Sequence, residues 1–248
     1  LTSIQANADN TPIAGAGTIV LNASTANIDT ARFTRANDTA SFILGLGQTL
    51  AGTGNINDVA VECRGTIAPG DLDSSHSYGT INIAGRPLTL TSTSTYRAQI
   101  GSTTTFDRIT GTGAVTLDGT LVVTLDPTFV PVRGNRFDII LAGPRTGRFT
   151  TVQLPVTAGG VWKYAYLPNG VRIGFACNSA DPAGLGGTLG PDGGFTPDDL
   201  VVFLDGFFNG DLAIADVASL GGTVGPDGLL TVDDIIVFLA AFFAGCPQ

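Results

Sequence analysis

The sequence predicts a mainly β protein. A β-solenoid or β-helix-like N-terminal domain, with a β-sandwich as the alternative, is expected over 1–176. A small α-helical module made of a duplicated loop and helix is expected over 177–248. Three observations point there. Gly accounts for 34 of 248 residues and recurs beside Thr between short segments that alternate apolar and polar, the pattern of half-buried strands separated by tight turns. No long amphipathic helical pattern occurs before about residue 195. Beyond that point the chain repeats itself at constant spacing, as a duplicated unit does.

Taken in order, the strand candidates are GTIVLNAS (17–24), INDVAVEC (56–63), GTINIAG (79–85), PLTLTS (87–92), AVTLDGTLVVTL (114–125), RFDIILAG (136–143) and VRIGF (171–175). Gly-Thr pairs such as Gly17-Thr18, Gly65-Thr66 and Gly119-Thr120 punctuate them. A solenoid stacks such strands coil on coil, whereas a sandwich pairs them as hairpins, and the pattern admits both. Residues 1–45 read as further coils or a cap. The stretch from about 126 to 176, richer in Pro and in Phe129, Phe137, Phe149, Trp162, Tyr164 and Tyr166, reads as a sheet that closes the other end. In VAVECRG, Val59, Val61 and Cys63 share one face of a strand, so Cys63 is expected to be buried as a small apolar side chain.

Charge is distributed unevenly. The net charge is −9, yet residues 178–248 hold ten Asp and no Glu, Lys, Arg or His. Such a segment repels itself unless cations gather around it, and it argues against nucleic acid as a partner. Cys177 and Cys246 bracket this segment, which suits a disulfide in a secreted module; three free thiols in a reducing compartment is the other reading. The longest uncharged apolar run, 235–244, is too short to cross a bilayer. No basic-plus-apolar leader is visible, as expected of a secreted chain from which it has been removed.

The two copies read DPAGLGGTLGPDGGFTPDDLVVFLDGFF from Asp181 and DVASLGGTVGPDGLLTVDDIIVFLAAFF from Asp216. Asp192-Gly193 with Thr196 and Asp199, and Asp227-Gly228 with Thr231 and Asp234, follow the second half of an EF-hand-type loop, in which a Gly makes the sharp turn and a carboxylate closes the ring from the exiting helix. Hard oxygen donors favour Ca²⁺. The metal-ligand set expected is Asp181, Asp192, Thr196 and Asp199, with Asp216, Asp227, Thr231 and Asp234. Asp181 and Asp216 serve as first ligands only across an insertion of about seven residues. Helix capping is the competing reading, because Thr followed by an acidic pair is a good helix start without any metal. Both helices are apolar nearly all round, so Phe207, Phe208, Phe238, Phe242 and Phe243 are expected to leave surface for a partner.

Two resemblances accompany these readings. The stretch from about 46 to 155, with LAGTGNINDVAVECRGTIAPGD, GTINIAGRPLTL and GNRFDIILAGPRTGRFTTV, resembles the β-helical passenger regions of autotransporter-type bacterial surface proteins. The duplicated Pro-Asp-Gly and Thr-x-Asp-Asp motifs, with Gly245-Cys246 near the end, are similar to dockerin-like modules of the type that ends in Gly-Cys in secreted Planctomycetes proteins. That resemblance implies a calcium-stabilised docking module joining its cargo to a partner at the cell surface or in an assembly. Asp107, Arg108, Asp118, Asp126 and Asp138 are the candidates for glycan chemistry on a β-helix face; His76 sits in a polar loop and is expected to be solvated. No Ser-His-Asp set, Cys-His pair or phosphate loop is present. The expectation is therefore an extracellular, non-enzymatic structural protein of a bacterial surface, associating with a protein partner or neighbouring subunits, as a homo-oligomer or fibre. A glycan-binding or glycan-cleaving β-helix anchored by the module is the alternative.

Overall fold

Every third strand pairs with its counterpart in the next coil, and that pairing is parallel throughout the N-terminal part of the chain. The computed structural model describes the backbone of 17–21 and 27–28 and, in full, residues 41–56, 60–70 and 78–246. The expectations for most of 1–45, for Val59 and for His76 fall outside the described residues. The first coil carries β1 (Gly17–Leu21), β2 (Asn27–Ile28) and β3 (Ser41–Leu44). The next carries β4 (Gln48–Gly52), β5 (Gly54–Ile56) and β6 (Ala60–Cys63). Then come β7 (Thr66–Pro69), β8 (Thr80–Asn82) and β9 (Leu88–Leu90), followed by β10 (Thr95–Ile100), β11 (Arg108–Thr110) and β12 (Val115–Leu117). A further coil has β13 (Thr120–Leu125), β14 (Arg136–Leu141) and β15 (Arg145–Gly147), and β16 (Thr151–Gln153) returns to the first sheet.

Three sheets result, one strand from each coil in each. Parallel ladders cannot be closed by two-residue hairpins, so the solenoid holds and the sandwich alternative does not. Register stacks like on like: Leu50, Ile67, Tyr96 and Leu121 line one column, Ile81, Ile109 and Ile140 a second, and Phe42, Val61, Leu88 and Val115 a third. All eleven are buried, and each contributes about 1.5–3 kcal/mol by leaving water. Cys63 lies in the same core, and burial raises its thiol to about 12. Gly-Thr punctuation marks corners. A Cβ at Gly119 would stand 2.4 Å from the Ser94 carbonyl oxygen of the preceding coil, and the residue takes φ +75°, so only Gly fits there.

The closing sheet expected from about 126 is only partly seen. Residues 136–153 form β14, β15 and β16 and simply continue the coils. Only β17 (Val161–Leu167) and β18 (Gly170–Ala176) leave the coil pattern, in the sheet order β17-β18-β14.

The chain divides into two compact units. One comprises 1–129, 138–154 and 168–170; the other comprises 130–137, 155–167 and 171–248. Within the second unit the segment before β14 pairs with β18 through Gly134 N–H to Phe175 O (2.8 Å) and Phe175 N–H to Asn135 O (2.9 Å). Trp162 packs between Phe137 and Phe175, with ring centroids 6.0 and 5.1 Å away. Next come α1 (Pro197–Phe208), the short α2 (Leu212–Ala215) and α3 (Val232–Ala244). Phe203 of α1 stacks on Phe238 of α3 at 3.8 Å, in a core shared with Ala180, Ala215, Val217, Ala218 and Val237. Cys177 and Cys246 form the disulfide, and the neighbouring Asn178 amide donates to Ala241 O and Gly245 O (3.1 and 3.2 Å). Among the described residues no helix is long and apolar enough to cross a membrane.

Candidate functional site: the duplicated carboxylate loops

Each loop turns at its Asp-Gly, with Gly193 and Gly228 both at φ +84°, the left-handed conformation that Gly alone adopts without strain. The leading aspartate reaches across the insertion to that turn. Asp181 accepts from Asp192 N–H and Gly193 N–H (both 3.0 Å), and Asp216 accepts from Asp227 N–H and Gly228 N–H (3.0 and 2.8 Å). The insertion between them folds as a two-residue antiparallel ladder, 183–184 with 188–189 in the first copy and 218–219 with 223–224 in the second.

The helix ends complete each ring. Asp199 Oδ2 accepts from Thr196 N–H (2.9 Å) and its Oδ1 from Ala183 N–H (3.0 Å). Asp234 Oδ2 accepts from Thr231 N–H (2.8 Å), while its Oδ1 takes Val217 N–H and Ala218 N–H (2.8 and 2.9 Å). Thr196 with Asp199 and Thr231 with Asp234 are thus capping boxes, the arrangement the competing sequence reading described. Asp198 and Asp233, the first members of the acidic pairs, accept from Gly186 N–H and Gly221 N–H (2.8 and 2.9 Å). Asp192 and Asp227 fold back on Gly194 N–H and Leu229 N–H (both 3.0 Å).

The eight residues expected as metal ligands lie in two loops with equivalent hydrogen bonds. What surrounds their carboxylates is backbone N–H. A calcium ion takes six to eight oxygens directed at one point. Here the carboxylate oxygens are directed at donors, and among the described residues no three acidic, histidine or cysteine side chains converge to hold a metal.

Burial dominates the electrostatics. It pushes the Asp181 carboxyl up to about 6, against the lowering pull of the Asp192 and Gly193 N–H groups, and it also raises Asp199 and Asp216. Basic side chains reach the first loop. Arg136 Nη2 lies 3.9 Å from Asp192 Oδ2, and Arg136 Nε donates to Pro191 O. Arg172 Nη1 donates to Leu189 O (3.0 Å), and Lys163 Nζ donates to Ser179 O (2.7 Å). Burial lowers the Lys163 ammonium to about 8, while the charges of Asp181 and Asp199 draw it back up. Sequence reasoning missed these three residues. The signal available was the total lack of basic residues in 178–248, which means that counter-charges must come from elsewhere in the chain.

Of the five phenylalanines read as a partner face, Phe208 and Phe243 are exposed, while Phe207 and Phe242 are half-buried. Phe238 is a correction: it is fully buried on Phe203 and belongs to the core. Three of the five glycan candidates are taken up by hydrogen bonds within the fold. Asp107 is buried and accepts from Gly79 N–H and Gln99 N–H (2.8 and 2.9 Å), Asp118 from Thr150 Oγ1 and Gly119 N–H (both 2.7 Å), and Asp126 from Tyr78 Oη and Thr128 N–H (both 2.7 Å). Arg108 Nε donates to Thr80 Oγ1 (3.1 Å) and Asp138 lies on β14. A cavity bordered by Lys163, Arg172, Pro191 and Ile214 has a volume of about 10 Å³, space for a single water.

No family model matches the chain, and no curated protein is found to resemble it.

Proposed function

We propose that this is a secreted, non-enzymatic structural protein of the bacterial surface, in which a β-solenoid body is joined to other protein molecules by a dockerin-like C-terminal module. One observation carries the proposal. The module repeats three exposed apolar positions: Leu185 and Leu220 are 79% and 78% exposed, Val201 and Ile236 63% and 56%, and Phe208 and Phe243 78% and 80%. These side chains contribute nothing to a core that is already filled by Phe203 and Phe238. Large apolar groups left open twice over, at equivalent places, fit a surface that another molecule covers. The disulfide suits an oxidising, extracellular setting.

Calcium enters this reading as a condition to be varied. The test is sedimentation velocity of the full chain with calcium and with EDTA, beside the variant Phe208→Ser, Phe243→Ser. Larger assemblies in the wild type that dissociate in the variant support the connector. A wild type that stays monomeric in both buffers at the highest soluble concentration, together with glycan binding by the chain, would replace it with the glycan reading.

A further inference from the structure

We infer that the first loop of the duplicated module holds itself without a metal ion, the cationic role being filled by Arg136, Arg172 and Lys163 from the β-strand segments of the same unit. This inference does not depend on the connector reading. The two copies bond alike at the leading aspartates and at the N–H groups of the turn and helix start, while Asp199 Oδ1 takes one N–H where Asp234 Oδ1 takes two, because Pro182 stands in place of Val217. In the second copy Asp227 Oδ2 accepts from Leu220 N–H (3.0 Å). In the first, the equivalent oxygen of Asp192 faces the Arg136 guanidinium at 3.9 Å.

A second difference is written in the sequence itself. Residue 184 is Gly in the first copy, while its equivalent in the second is Ser219. A Cβ at Gly184 would stand 2.2 Å from Arg136 Nη2, so the missing side chain makes room for the guanidinium. The second copy, which has no arginine to accommodate, carries a full side chain there. Gly190 leaves space for the Arg172 stem, whose Cδ a Cβ would approach to 2.7 Å, although its equivalent Gly225 is glycine too and this position does not distinguish the copies.

Backbone carbonyls complete the case. An oxygen-rich loop with few free carboxylate oxygens must offer carbonyls to a cation, and in the first loop Pro191 O and Leu189 O are already given to Arg136 and Arg172. Guanidinium groups stay charged at every physiological pH. A divalent ion entering this loop would meet two of them together with the Lys163 ammonium. Among the described residues the second loop has no ion pair, and its Asp227 is open to solvent.

Calorimetric titration of the intact, disulfide-bonded chain with calcium alone decides the matter, using wild type, Asp192→Asn and Asp227→Asn. Near-ultraviolet circular dichroism confirms that each variant is folded. The expected result is no ion, or one ion whose affinity falls more than tenfold in Asp227→Asn and changes less than twofold in Asp192→Asn. Two ions per wild-type chain, or one ion lost in Asp192→Asn and kept in Asp227→Asn, would overturn the inference. An independent measurement tests the steric part. Gly184→Ser should lower the urea midpoint in the wild-type background and lose most of that effect when combined with Arg136→Gln; an equal loss in both backgrounds would show that the guanidinium is not what the glycine accommodates.

Discussion

Replacing Asp234 tests directly whether its carboxylate works on N–H groups. The side chain is fully buried and accepts three backbone N–H bonds, from Val217, Ala218 and Thr231, at 2.8–2.9 Å. Hydrogen bonds to a charged group contribute about 1.5–3 kcal/mol each, offset by the several kcal/mol that burying the charge costs. Asp234→Asn keeps the shape and one oxygen, which can still serve Val217 and Ala218, but it turns an NH₂ group toward Thr231 N–H. The expected loss is about 2 kcal/mol. Asp234→Ala orphans all three donors and should cost about 4 kcal/mol. Trp162 is the only tryptophan and lies in the same compact unit, so its fluorescence reports the transition in urea. With a slope of about 2 kcal/mol per molar urea, the midpoint should fall by about 1 M for Asn and about 2 M for Ala, in calcium and in EDTA alike. The reasoning fails if EDTA lowers the wild-type midpoint by as much as the Ala substitution does, with Asp234→Asn indifferent to the chelator.

Other outcomes follow from the same geometry. Opening the Cys177–Cys246 bridge, which spans 69 residues, should destabilise the second unit by about 4 kcal/mol on the loop-entropy account, read as a lower Trp162 midpoint in Cys177→Ser, Cys246→Ser. Phe238→Ala removes half of the central stack and should cost about 3–5 kcal/mol, whereas Phe243→Ala, at an exposed position, should change the midpoint little. Burial pushes Asp107 up to about 7, above the value near 3.9 of an unfolded chain. Its folded form therefore binds a proton more readily, and its contribution is complete below about pH 4 and lost as pH rises through about 7. Thermal unfolding should show the solenoid about 2 kcal/mol more stable at pH 5 than at pH 8 on this account, and Asp107→Asn should flatten that slope.

Local features were the ones readable from the sequence. Gly-Thr corners, the buried Cys63, the 35-residue repeat and the Thr-to-Asp helix starts all depend on neighbours a few residues away, or on exact repetition. Contacts between distant segments were not readable. Arg136 and Arg172 look like ordinary polar positions on alternating strands, and nothing near them announces Asp192 or Leu189. Phe238 could not be told from Phe242 and Phe243, because a helix apolar on every side gives periodicity no face to choose. The coil strands β14, β15 and β16 were obscured by a stretch rich in Pro and aromatic residues. The repeat put the carboxylates in two equivalent loops, but the N–H groups they accept from depend on side-chain reach, which a sequence pattern does not contain.

The bridge between Cys177 and Cys246 also sets how the chain carries load. A pull applied beyond Cys246 passes through the sulfur atoms straight to Cys177 at the end of β18, so the 69-residue span between them bears no tension while the bridge is closed. Reduction would put that span into the force path and let the tether lengthen by about 240 Å, at roughly 3.5 Å per extended residue. While the bridge is closed, the helices and loops therefore carry none of a load applied beyond Cys246.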